Sequence, residues 1–354
     1  MKGTENIKVG ISIGDINGIG CEIILKTFKD PRMLDFCTPV IFASAKTISF
    51  QRKQLGIQMN YNGVEKASQA VNGKINIVNV WKEVPKVEFG KETEEGGKYA
   101  LLSLEAAVQA LIKKEIDVLV TAPINKHNIQ SDKFKFPGHT DFLAKELKGE
   151  ALMFMVTDEL KVGLFTDHVP VKDVSEHLTP ELVKNKIDKV YESLKRDFRI
   201  ARPKIAVLGL NPHSGDNGVI GQEDDKVLRP VISEAFNKGK LVYGPYAADS
   251  FFGSENYKKF DAVLATYHDQ GLIPFKTLSF GQGVNFTAGL NAVRTSPDHG
   301  TAFEIAGKNE ADHHSFKEAV FTGISIFRNR KEHEEISANP LKKHSLKVET
   351  KKNS

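Results

Sequence analysis

Apolar residues recur along this chain in two alternating rhythms. Short, nearly continuous apolar runs at 8–13, 39–45, 117–121, 204–209 and 261–266 predict buried strands. Between them lie longer segments with apolar residues three and four apart. Leu101, Leu104, Val108, Leu111 and Ile112 fall on one face of a helix predicted over 97–114. Gly18 to Glu22 opens another helix, running to about Phe28. Thr179 before Pro180 is a strong helix start, with a hydroxyl cap and a proline whose missing N–H costs nothing there. That helix runs to about Arg196, and a further one spans 223–238 and stops at Gly239. The runs 151–156 and 161–166, separated by Thr157-Asp158-Glu159-Leu160, predict a β-hairpin. Strand and helix in alternation argue for an α/β protein with a mixed, largely parallel sheet.

A length of 354 residues suggests two units or one large one. The segment 140–290 is expected to form a central unit that extends the sheet. Segments 1–139 and 291–330 are expected to share the other, with a cleft between them, and 331–354 reads as a basic tail. The formal charge is +4, but residues 340–354 hold five lysines and one glutamate, which account for all of it. The rest is neutral, so charge gives no case for a nucleic-acid partner. Cys21 and Cys37 are the only cysteines, no run approaches the length of a membrane span, and the N-terminus has no signal pattern. A reducing cytoplasm is the expected compartment.

Three histidines follow strand-like runs: His168 after Leu164-Phe165-Thr166-Asp167, His213 within Leu210-Asn211-Pro212-His213-Ser214-Gly215, and His268 within Thr266-Tyr267-His268-Asp269-Gln270-Gly271. His213 and His268 sit at the carboxyl ends of candidate parallel strands, where open α/β sheets hold their ligands. Three imidazoles on one divalent ion would leave room for water or substrate, as catalytic rather than structural sites do. The bland alternative is that each histidine is a hydrogen-bonded loop residue. Asn211, Asp216, Asp167, Asp269 and Gln270 are the neighbours that could fix imidazole tautomers.

Phe136-Pro137-Gly138-His139-Thr140-Asp141 delivers polar groups into a helix start and can meet an anion, or simply cap the helix through Thr140 or Asp141. Lys276, Asn285 and Arg294 form a spaced set, with Arg294 in a loop-like, uncharged stretch where an isolated cation invites phosphate or carboxylate. The loop Gly14 to Gly20 matches neither a dinucleotide fingerprint nor a P-loop, and a tight strand-to-helix turn explains its glycines.

These motifs, together with Thr121-Ala122-Pro123-Ile124-Asn125-Lys126, Gly244-Pro245-Tyr246-Ala247-Ala248-Asp249 and Thr295-Ser296-Pro297-Asp298-His299-Gly300-Thr301-Ala302, occur in an order that resembles the 4-hydroxythreonine-4-phosphate dehydrogenase family of pyridoxal phosphate biosynthesis. The resemblance covers about residues 7–327. It implies a two-domain α/β/α fold like that of isocitrate and isopropylmalate dehydrogenases. It also implies a homodimer with the active site at the subunit interface and one histidine donated by the partner, for which His268 is the expected donor. Metal ligands are implied at His168, His213 and His268, and substrate contacts at His139, Thr140, Lys276, Asn285 and Arg294. His299 and Gly300 resemble part of a cofactor loop. The N-terminal loop departs from the family pattern at Ile16, Asn17 and Cys21.

The implied reaction is oxidation of 4-phosphooxy-L-threonine at C3 by NAD or NADP, aided by one divalent ion (Zn, Mg, Mn or Co), followed by loss of carbon dioxide to give 3-amino-2-oxopropyl phosphate. Asp249 or Asp269 is expected as the base, with Lys276 as a relay. A paralogue acting on 4-phospho-D-threonate or 4-phospho-erythronate would use the same site. A metal-dependent hydrolase is the alternative of another class, and a phosphometabolite-binding protein without catalysis is a further one. No membrane or nucleic-acid partner is expected.

Overall fold

Each strand run read from the sequence forms a strand in the computed structural model, which describes residues 6–339 except 133, 137 and 148. The strands are β1 (Lys8–Ser12), β2 (Thr38–Ala43), β3 (Asn62–Val64), β4 (Asn76–Asn79), β5 (Val118–Thr121), β6 (Leu152–Val156), β7 (Lys161–Leu164), β8 (Lys204–Leu208), β9 (Leu241–Tyr246), β10 (Ala262–Ala265), β11 (Val284–Ala288) and β12 (Val293–Pro297). They make one sheet in the order β3-β4-β2-β1-β5-β12-β11-β6-β7-β10-β8-β9. The β12–β11, β11–β6 and β6–β7 pairs are antiparallel. The remaining neighbours are parallel. The chain is thus α/β with a mixed, mostly parallel sheet, and β6–β7 is the hairpin that the sequence predicts.

Segments 6–139 and 291–339 supply β1–β5 and β12, while 140–290 supplies β6–β11, so the two sets meet at the β12–β11 pair. One apolar cluster runs along a whole face of the sheet, under helices that include Gly20–Phe28, Pro180–Arg196 and His314–Ser337. The opposite face carries two separate clusters. One gathers Leu104, Val108 and Phe142 over β2 and β5. The other gathers Leu272 and Phe275 over β7, β8 and β10. Polar side chains fill the sheet face between them, and the site lies in that gap.

Helices also follow the sequence signals. Thr179 caps Pro180–Arg196 by accepting from the Leu182 N–H at 3.2 Å, and Thr93 caps Glu94–Ile112 by accepting from Gly96 N–H at 3.0 Å. The helix predicted over 223–238 starts as a π-turn, Asp224–Leu228, and continues as Arg229–Asn237. The expected tail begins inside the last helix, His314–Ser337, while 340–354 and Pro137 lie outside the described residues. No described helix is long and apolar enough to cross a membrane.

Candidate active site

The reversal of strand direction at β12, β11 and β6 puts alternating side chains of three neighbouring strands over one cavity. Arg294 and Ser296 come from β12, Asn285 from β11, and Met153 and Met155 from β6. Register brings Asn285 opposite both Ser296 and Met155. The cavity has a volume of about 270 Å³ and is walled by the loop after β5, by the start of helix His139–Glu146 and by helix His268–Ser279. Among the expected site residues, His139, Thr140, His168, His268, Lys276, Asn285, Arg294, His299 and Gly300 all line it. A larger cavity of about 790 Å³ between the β6–β7 turn and the last helix contains none of them.

Arg294 dominates the site. It lies inside β12 rather than in the loop expected from its uncharged surroundings, and only 2% of it is exposed. Nη2 donates to Thr121 Oγ1 at 2.6 Å and Nη1 to Thr287 Oγ1 at 3.1 Å, while Nε has no partner. Burial pushes the guanidinium pKa down to about 9, which still leaves it charged at neutral pH. The other buried arginine among the described residues, Arg330, has a buried carboxylate instead, donating from Nε to Asp197 Oδ1 at 2.7 Å. Arg294 has only hydroxyls.

His139 opens its helix behind Gly138, which takes the capping place expected of Thr140 or Asp141. Burial, then the charges of Arg294 and Lys126, hold the His139 pKa well below the usual imidazole range. The ring is therefore neutral. Nine buried side-chain atoms among the described residues lack a hydrogen-bond partner, and four of them line this cavity: His139 Nε2, Asn285 Oδ1, Arg294 Nε and His299 Nε2. Unpaired buried polar atoms are costly and rare. Their concentration here marks a polar cavity in which Arg294 Nε lacks an acceptor and Asn285 Oδ1 lacks a donor.

At the other end stand His168 and His268. Thr166 and Thr266 tie the ends of β7 and β10 together, with Thr166 Oγ1 donating to the Thr266 carbonyl at 2.7 Å. Two residues later the imidazoles emerge with ring centroids 6.5 Å apart. His268 begins a helix, and its Nδ1 meets Asp269 Oδ1 at 2.7 Å. That contact engages Nδ1 and leaves Nε2 as the ring nitrogen available to a ligand. His268, Leu272 and Lys276 recur at four-residue spacing along one helical stripe, and Lys276 Nζ donates to the Asp298 carbonyl at 3.3 Å.

His213, Asp249 and Asp269 do not line the cavity. Asp269 instead holds His268. His213, exposed and left-handed at φ 52°, follows β8, and Asp249 follows β9 in helix Ala248–Gly253. Both therefore belong to the β8–β9 margin of the sheet. Asp312, His313 and His314 are the grouping of metal-ligand type that comes closest together among the described residues. Asp312 Oδ1 there is already engaged by His314 Nδ1, and Lys26 and Lys317 lie nearby, which disfavours a cation.

Sequence reasoning assigned no role to Thr121, Lys126, Thr287 or Asp298. Thr121 and Lys126 sit at the two ends of one conspicuous motif, so a signal existed for them. Thr287 had none, because only register brings it to Arg294.

The chain matches the family described as pyridoxal phosphate biosynthetic protein PdxA over residues 35–322. It is 48% identical over 341 residues to the 4-hydroxythreonine-4-phosphate dehydrogenase of Bacteroides thetaiotaomicron, covering 96% of this chain and 94% of that one. It is 35% identical over 328 residues to a D-threonate 4-phosphate dehydrogenase of Cupriavidus necator, covering 91% and 98%. The crystal structure of 4-hydroxythreonine-4-phosphate dehydrogenase from Klebsiella pneumoniae superposes with a TM-score of 0.79 at 30% identity, covering 92% of this chain and 98% of that one. With this match running from Asp35 through the cavity-lining segments to the last helix, the chain belongs to the pyridoxal phosphate biosynthetic PdxA family.

Proposed function

We propose that the protein is a cytoplasmic, nicotinamide-linked dehydrogenase that oxidises 4-phosphooxy-L-threonine at C3 and releases carbon dioxide, forming 3-amino-2-oxopropyl phosphate for pyridoxal 5'-phosphate biosynthesis. The observation that carries this reading is the buried, carboxylate-free guanidinium of Arg294, in one cavity with Lys126, Lys276 and the unpartnered His139 and Asn285. A charge so desolvated calls for an anion, and a phosphorylated substrate brings one. The 48% identity to a 4-hydroxythreonine-4-phosphate dehydrogenase, against 35% to a D-threonate 4-phosphate dehydrogenase, favours the amino-acid substrate.

The donor set fits a divalent ion. His168 and His268 share one wall, and Asp269 ties off the Nδ1 of His268. When bound, such an ion supplies Lewis acidity to a substrate hydroxyl. His213, on the β8–β9 margin, supports a homodimer in which the partner subunit's His213 completes the set. This replaces His268 as the donated residue. Asp249 of the partner subunit would arrive on the same margin as a candidate base, and the 140–290 segment would carry the dimer contact. His299 Nε2, buried and unpartnered beside Gly300, fits a nicotinamide cofactor at that rim, where the Thr301 carbonyl accepts from Ile19 N–H at 3.0 Å.

The chain's own groups divide the remaining work. Arg294 and Lys126 hold the anion. Neutral His139 can offer it one hydrogen bond without adding charge. Lys276, anchored at Asp298, stands where it can pass a proton to or from the reacting end. Met153 and Met155 give the floor an apolar patch that displaces water from the bound substrate.

The test is an assay of the purified protein with NAD or NADP and each of 4-phosphooxy-L-threonine and 4-phospho-D-threonate, following reduced nicotinamide and released carbon dioxide. Faster turnover of the threonate ester would reassign the substrate. No reduction with either, with metal-dependent phosphate release, would favour a hydrolase.

A further inference from the structure

Arg294 sits in the middle strand of three. β12 lies between β5 and β11, and one residue from each flanking strand reaches the guanidinium: Thr121 from β5 at 2.6 Å and Thr287 from β11 at 3.1 Å. Both threonines are fully buried, so no water competes for the two hydroxyls. A threonine is stiff at χ1, which fixes its oxygen relative to its own strand. Two such oxygens from opposite sides define the plane and the direction of a side chain that otherwise carries large rotamer freedom.

We propose that Thr121 and Thr287 are positioning residues that clamp Arg294 for an anionic substrate without neutralising it. A carboxylate in either place would hold the guanidinium equally well but would quench its charge, as Asp197 does for Arg330 in the interior. A hydroxyl accepts a hydrogen bond from one N–H and leaves the net positive charge intact. Two of the five N–H donors are spent on the clamp, and Nε, unpartnered, belongs to the remainder. The cost of burying an unpaired guanidinium is therefore met only when an anion arrives, and the clamp keeps the donors aimed at it beforehand.

This inference rests on the reading of Arg294 as the substrate's anion site, and the experiment separates the two. Thr121→Val and Thr287→Val keep shape and strand preference while deleting one hydroxyl each, and Thr121→Ser keeps the hydroxyl. Each is compared with wild type and Arg294→Met for KM and kcat with 4-phosphooxy-L-threonine, for KM with NAD, and for inhibition by inorganic phosphate. Each valine variant is expected to raise the substrate KM and the phosphate inhibition constant about tenfold, the scale of removing one charge-assisted hydrogen bond, with the KM for NAD unchanged. Thr121→Ser is expected to stay within about twofold of wild type. Should Arg294→Met weaken both while the valine variants and their double mutant leave both unaltered, the clamp is refuted and the anion site stands. Should Arg294→Met itself change neither, the anion site falls and the clamp falls with it. If one valine variant fails to fold, the other still decides.

Discussion

Thr166 and Thr266 join the ends of β7 and β10 through a 2.7 Å hydrogen bond, and that bond sets His168 and His268 side by side with ring centroids 6.5 Å apart. The third expected ligand, His213, follows β8, the strand beside β10, and does not line the cavity. If the partner subunit supplies it, His168→Ala and His213→Ala should each abolish turnover alone. Mixed subunits should nevertheless complement. A heterodimer of the two variants has one site with both defects and one with neither, so random mixing should restore roughly a quarter of the sites. Co-refolding the inactive variants and measuring dehydrogenase activity checks this. No recovery in verified heterodimers would place His168 and His213 in the same chain.

Arg294→Lys retains a positive charge but loses the fork that spans Thr121 and Thr287. A buried lysine also gives up its proton more readily than arginine. The substrate KM should rise about 30-fold, corresponding to about 2 kcal/mol, with a smaller change in kcat. Steady-state kinetics together with the thermal shift given by inorganic phosphate would show it, and a KM near wild type would count against the bidentate role.

Burial depresses the His139 pKa, with Arg294 and Lys126 adding to the effect. The native state then binds fewer protons than the unfolded chain once pH drops below the unfolded value of about 6.5. Stability is lost as pH falls through that value toward the lower native one. His139→Gln removes this loss, so the variant's melting temperature should fall less than that of wild type between pH 7 and 5. Parallel curves would mean that the ring titrates normally.

Asp15 has the opposite sign. Burial raises its carboxyl pKa, with Glu92 adding, and the bonds from Asn128 Nδ2 and the Asn17 N–H only partly oppose this. Its contribution is present below the unfolded value near 3.9 and is lost as pH rises through the higher native value. Asn128 Oδ1 is buried without a partner, so an amide at position 15 can find an acceptor there. Asp15→Asn should therefore gain on wild type in thermal unfolding as pH rises from 4 to 7. A constant difference would contradict the raised carboxyl.

Gly97 lets helix Glu94–Ile112 touch the loop that carries Lys126 into the cavity. A Cβ there would stand 2.0 Å from the Asn128 carbonyl oxygen, which is backbone and cannot swing aside. Gly97→Ala should cost about 1–3 kcal/mol of stability and raise the substrate KM by displacing Lys126. Denaturant unfolding and kinetics measure both. Unchanged stability would show that the two segments can slide apart.

The strands that the sequence made legible were those buried on both faces, such as β1, β2, β5, β8 and β10, where apolar residues run without interruption. The strands that it hid include the short β3 and β4, the edge strand β9, and β11 and β12, the two that build the centre of the site. Asn285, Thr287, Arg294 and Ser296 interrupt the apolar pattern of these last two, because one face of each looks into a polar cavity. The feature that makes them functional is the one that made Arg294 read as a loop residue.

Local order determined much by itself. Apolar spacing, caps and turn residues act over a few positions, so the α/β alternation, the β6–β7 hairpin and the helix capped by Thr179 were already written in the chain. The motifs likewise marked His139, His168, His268, Lys276, Asn285 and Arg294. Only the tertiary structure decided which of these meet. Strand order and register bring Thr121 and Thr287, 166 positions apart in sequence, onto the same guanidinium. His213 and Asp249 follow β8 and β9 at one edge of that sheet, and neither lines the cavity. Such pairings are set by hydrogen bonds between distant strands, and no local pattern of residues encodes them.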